Sequence, residues 1–69
     1  MPQVTKDTVI GDVLTIDRGA APILMRAGMH CLGCPASQME SLEDACAVHG
    51  IDVDPVVDEI NVYLAHKAE

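Results

Sequence analysis

Seven consecutive residues, Met29-His30-Cys31-Leu32-Gly33-Cys34-Pro35, hold the densest group of side chains that could do chemistry in this chain. They hold two of its three cysteines and one of its three histidines. A C-x-x-C pair brings two sulfurs close enough to share a disulfide or one metal ion. Gly33 lets the connecting loop turn tightly. Pro35 suits the first turn of a helix, where a missing N–H costs nothing. The spacing therefore predicts Cys34 at the N-cap of a short helix that opens at Pro35. Orphan amides and the positive end of a helix dipole favour a thiolate there. His30 could polarise Cys31 if its ring folds back, and equally it could point to solvent.

Three kinds of function are compatible with these residues. In the first, Cys31 and Cys34 cycle between dithiol and disulfide. Cys34 is then the more acidic thiol, and Cys31 attacks first if it is the more accessible. The C-x-x-C of thioredoxin-type enzymes sits on a βαβ pattern, which this chain lacks. An accessory, redox-sensing or electron-relaying domain is therefore expected rather than a general reductase, with no cofactor.

In the second, Cys31, Cys34, Cys46 and His49 form a C-x2-C…C-x2-H set of the Cys3His kind that zinc accepts. Cys46 and His49 fall at i, i+3 on a helix. The spacing to His49 is shorter than the usual zinc-finger spacing. An iron–sulfur cluster needs four thiolates, one more than the chain has, unless a dimer supplies it. In the third, Met25, Met29 and Met39 belong to an apolar surface that docks a partner or a second copy.

Plainer readings stand beside these. Cys46, between Ala45 and Ala47 on an apolar face, reads as a small buried hydrophobe. His49 suits a helix C-terminus, and His66 reads as solvated. Glu40, Glu43 and Asp44 fit dipole compensation at a helix start. Asp58 and Glu59 fit a solvated face. Gly11 and Gly33 carry no phosphate-loop pattern, so nucleotide binding has no support.

The elements that must hold this site come from a thin repertoire. The chain has 69 residues, one tyrosine (Tyr63) and no Phe or Trp, so a single domain over 1–69 is expected. A domain of this size buries only about 60% of the surface its unfolded chain exposes. A disulfide, a metal or a second subunit could each matter to its stability. Four Lys and Arg face eleven Asp and Glu, for a net charge of −7. That balance argues against nucleic acid and anionic membrane surfaces as partners. No apolar run is long enough for a membrane span. Met1–Thr8 shows no signal-peptide pattern. A cytoplasmic setting is expected, where a C-x-x-C is more often redox-active or metal-binding than structural.

The pattern reads as four to five short helices with no significant sheet. Val4 in an extended lead-in could dock on the core. Thr8 is the expected N-cap of a helix that buries Ile10, Val13 and Leu14 and ends near Ile16. Gly11 could admit a close neighbour. Asp17 is the next expected cap, before a segment with Ala21, Leu24 and Met25 at helical spacing and Ile23 nearby. Gly28 should close it. One or two turns should follow Pro35. Ser41 should cap a helix carrying Leu42, Ala45, Cys46 and His49, which Gly50 closes. Asp54-Pro55 gives the start signal of the last helix. Its stripe is Val56, Val57, Ile60, Tyr63 and Leu64. The tail His66–Glu69 is expected to fray.

Three stretches together carry a family resemblance: Thr5-Lys6-Asp7 with Ile10-Gly11-Asp12-Val13-Leu14; Gly28 through Pro35; and Ser41 through Asp52. They resemble the hybrid-cluster-protein-associated redox disulfide domains, a small bacterial and archaeal group within a wider family of unknown function. H-C-L-G-C-P and A-C-A-x-H-G-I-D are the most specific parts, and the likeness covers nearly the whole chain. It implies a small helical fold and a thiol–disulfide role for Cys31 and Cys34. It also implies a partner that bears a disulfide or a hybrid-type metallocluster. It names no substrate.

Overall fold

The computed structural model describes residues 3–29 and 35–67, without the side chains of residues 35 and 36. The described elements are α1 (Ile10–Ile16), a 3-10 turn (Arg18–Ala20), α2 (Ala21–Ala27), α3 (Pro35–Gln38), α4 (Leu42–His49) and α5 (Val53–Lys67). Strand-type pairing among the described residues is one antiparallel bridge between Val9 and Ser41. The fold is all-α, as the pattern predicts. No described helix is long and apolar enough to cross a membrane.

The core forms where the helical stripes meet. Ile10 and Val13 come from α1, Ile23 and Leu24 from α2, and Leu42, Ala45 and Cys46 from α4. Val56, Ile60 and Leu64 of α5 close it, with Val57 and Tyr63 packed at its edge. Full burial of a side chain such as Leu24, Leu42 or Ile60 contributes about 1.5–3 kcal/mol. On α2 the buried pair is Ile23 and Leu24, whereas Met25 points outward and is half exposed. Helical spacing groups Met25 with Ala21 and Leu24, but of these only Leu24 is buried. The adjacent Ala20 and Ile23 fill that side of the core instead.

Several helix starts differ from the simple cap reading, because tertiary partners took over. Val9, in extended conformation, is the N-cap of α1 and makes no side-chain cap bond. The Thr8 hydroxyl is turned back to accept from the Thr5 amide at 2.9 Å. Its carbonyl accepts from the Leu42 amide at 2.9 Å. The Glu43 amide donates to the Lys6 carbonyl at 2.9 Å. The Asp44 amide donates to Ser41 Oγ at 3.1 Å. The first-turn amides of α4, orphans in an isolated helix, are thus satisfied by the lead-in and the expected Ser41 cap together.

The lead-in is itself pinned. Asn61 on α5 accepts from the Val4 amide at 2.8 Å and donates to the Val4 carbonyl at 3.0 Å. Val4 is buried, as expected.

At α5 the helix begins at Val53, before the Asp54-Pro55 signal. Asp52 supplies the cap oxygen, accepting from the Asp54 amide at 3.2 Å. Pro55 then falls in the first turn, where its missing N–H is harmless. The far end of α5 stays helical through Lys67 instead of fraying at His66. Lys67 Nζ lies 2.8 Å from Asp17 Oδ2. Asp17 also accepts from the Gly19 amide at 2.8 Å and the Tyr63 hydroxyl at 3.2 Å. The hydrogen bond from Lys67, then that from the Gly19 amide, holds the Asp17 carboxyl below its ordinary value. A Cβ on Gly19 would collide with the Tyr63 hydroxyl, so a larger residue there would displace that ring end from Asp17.

Candidate functional site

His30, Cys31 and Cys34 lie outside the described residues, and so does the expected N-cap role of Cys34. The described chain defines both edges of their segment. Upstream, α2 ends in a Schellman motif. Gly28 adopts φ +115°, and its amide bonds the Met25 carbonyl at 3.0 Å. The Met29 amide bonds the Leu24 carbonyl at 3.1 Å. Leu24 and Met29 are both buried in the core, the apolar contact that accompanies this motif. Met29 is therefore an anchor, not a surface residue. Downstream, α3 opens at Pro35, as the proline predicts, and makes a single turn.

α4 ends in the same way. The Gly50 amide bonds the Ala47 carbonyl at 3.2 Å, and the Ile51 amide bonds the Cys46 carbonyl at 2.8 Å. Gly50 is left-handed at φ +68°. The two motifs meet, since a Cβ on Gly28 would lie 3.1 Å from Ile51 Cδ1. Two helix C-termini thus converge where the chain leaves toward His30. On the far side, Gly11 of α1 admits α3. A Cβ there would lie 3.0 Å from the Gln38 carbonyl oxygen. The close-neighbour reading of Gly11 holds.

A recess of about 40 Å³ lies between these elements, lined by Ile10, Met29, Ser37, Glu40, Ala45, Val48 and His49. Met29 borders the C-x-x-C segment on one side, and Ser37 follows it on the other.

Of the four-residue metal set, Cys46 and His49 fall within the described residues. Cys46 is buried in the core. Burial first, and then the nearby Asp52 charge, push its thiol pKa up. A raised pKa keeps sulfur as the thiol, whereas nucleophilic attack needs the thiolate. His49 is exposed at the C-terminal end of α4. The plain reading of both residues is the one their surroundings fit. No group of three or more His, Cys, Asp or Glu suited to hold a metal ion occurs among the described residues. Of the three methionines in the docking-surface reading, Met29 is buried, while Met25 and Met39 are exposed.

Residues 4–57 match the model of a domain of unknown function, DUF1858. The chain belongs to this family. The match takes in the lead-in, the C-x-x-C segment and α4, and stops after the first turns of α5. The DUF1858 domain is also similar to a Clostridium thermocellum protein whose solution structure was determined by NMR. The two are 60% identical over 97% of this chain and 96% of the other, with a TM-score of 0.87. No curated protein matches the chain.

Sequence reasoning missed two devices that hold the site's frame. The Asn61 clamp gave one faint signal, an amide beside the apolar stripe of α5. The Asp17–Tyr63–Lys67 cluster gave another, in that the only aromatic residue carries a hydroxyl.

Proposed function

We propose that this DUF1858 domain is an accessory thiol–disulfide module whose working pair is Cys31 and Cys34. The observation that carries the reading is the framing of the pair. Its segment runs from a core-anchored Met29 to a helix that opens at Pro35, directly after Cys34. Cys46 is a free thiol buried in the core. In the reaction, one thiolate attacks a partner disulfide, and a mixed disulfide forms as one partner thiolate leaves. The second cysteine then attacks the mixed disulfide and releases the other partner thiol. The Cys31–Cys34 bond forms, and two electrons and two protons pass to the partner. The family resemblance points to a partner that bears a disulfide or a hybrid-type metallocluster.

The test is a redox titration of purified protein followed by thiol counting and mass spectrometry, beside elemental analysis. A reversible loss of two thiols within one chain, mapped to Cys31 and Cys34 at cytosolic potentials, is expected. Stoichiometric zinc with no such bond at any cytosolic potential would replace this reading with the Cys31, Cys34, Cys46 and His49 metal site.

A further inference from the structure

We infer that the face built around α3 docks a partner surface with an apolar centre ringed by Lys and Arg. This inference rests on the redox reading of Cys31 and Cys34 and specifies the partner that reading leaves open. Two hollows flank α3. On the α4 side is the recess bordered by Ser37, Glu40 and Val48. On the α1 side is a shallow, open groove bordered by Asp12, Gln38 and Met39. Met39 is 80% exposed and Val48 75%, the two most exposed large apolar side chains among the described residues. Each lines one of the two hollows. An exposed apolar group on each side of one short helix offers a partner two points of contact, and methionine adapts readily to a partner.

The charge around them has one sign. Asp12 borders one hollow, Glu40 and His49 the other, and no Lys or Arg is among the described residues lining either. Three of the four cations are engaged elsewhere: Lys6 with Glu43, Arg26 with Glu59, and Lys67 with Asp17. The field at α3 is therefore negative, within a chain of net charge −7. Complementary charge steers encounter and excludes like-charged partners. A second copy of this chain carries the same −7 and is the disfavoured occupant. A basic protein surface with an apolar centre satisfies both the charge and the exposed Met39 and Val48. Its disulfide would be presented beside α3, next in the chain to Cys34.

The probes are two peptides that each hold one internal disulfide beside a leucine and differ only in flanking lysines against glutamates. Each is mixed with the reduced protein, and oxidation of the protein dithiol is followed as the peptide disulfide is reduced to two thiols. At low ionic strength the lysine peptide should react about tenfold faster or more, and salt should shrink that ratio. The Asp12→Asn/Glu40→Gln double variant should lose most of the preference. The Met39→Ser/Val48→Ser variant should slow the lysine peptide. Equal rates for the two peptides, or a preference untouched by the charge variant, overturn the docking inference and leave the redox reading standing. If neither peptide oxidises the pair, the redox reading has failed. Docking is then decided by NMR titration of the Cys31→Ser/Cys34→Ser chain with reduced lysine peptide. Shifts centred on Ser37, Glu40 and Val48 uphold it, and shifts elsewhere or none overturn it.

Discussion

Replacing Asn61 with alanine should destabilise the domain by about 1–3 kcal/mol, from two hydrogen bonds at about 0.5–1.5 kcal/mol each. The bonds removed are those to the Val4 amide at 2.8 Å and to the Val4 carbonyl at 3.0 Å. Val4 is 2% exposed, so water replaces these partners poorly while the lead-in stays docked. For a domain of this size each kcal/mol moves the midpoint by about 4–8 °C. The melting temperature should therefore fall by at least about 4 °C. The loss should also travel. The lead-in carbonyls of Lys6 and Thr8 cap Glu43 and Leu42, so the amides of these two residues should lose hydrogen-exchange protection together. Amides in the middle of α5, near the buried Ile60, should keep theirs. An Asn61→Asp variant retains an acceptor for the Val4 amide and should fall between wild type and alanine. Urea unfolding with amide exchange by NMR measures all of this. A loss below about 0.5 kcal/mol, with Leu42 and Glu43 still protected, would refute the idea that the clamp holds the lead-in over α4.

Gly28→Ala should cost about 1–2 kcal/mol, because φ +115° is strained for an L side chain and the new Cβ would press on Ile51; urea midpoints measure it. Asp17 has a depressed folded pKa, so its stabilisation is fully present above the ordinary value of 3.8 and is lost as pH falls through the depressed one. Lys67 is raised, so its share is present below 10.5 and is lost as pH climbs through the raised value. Asp17→Asn should flatten both limbs of a stability–pH profile taken by denaturant unfolding; unchanged limbs would remove the pair from the account. Cys46 should resist thiol reagents in the native Cys31→Ser/Cys34→Ser chain and react only on unfolding. Cys46→Ser should cost about 1–3 kcal/mol through a buried hydroxyl, with the Cys31–Cys34 titration unchanged.

Local chemistry was legible in the residues wherever a short-range rule decides the outcome. Glycine adopts the left-handed turn most readily, so Gly28 and Gly50 announced the ends of α2 and α4. Ser41 caps α4, Pro35 opens α3, and the period of Val56, Ile60 and Leu64 marks the buried stripe of α5. The all-helical class and the burial of Cys46 followed from the same periodicity.

Other outcomes depend on partners distant in sequence, and no local rule contains them. Thr8 has the side chain of a cap, but its hydroxyl serves the lead-in turn and its carbonyl serves Leu42. Asp52 outranks Asp54 as the cap of α5 because the chain enters from the Gly50–Ile51 turn. Lys67 continues α5 because Asp17, from the other end of the chain, offers it a carboxylate. Met25 and Met29 are chemically identical, yet one faces water and the other closes the core. Residue type and period set which helices can form, because those preferences act within a turn or two. Which amides are capped, which methionine is buried and which carboxylates face α3 depend on how the helices pack, and only the folded chain brings those groups together.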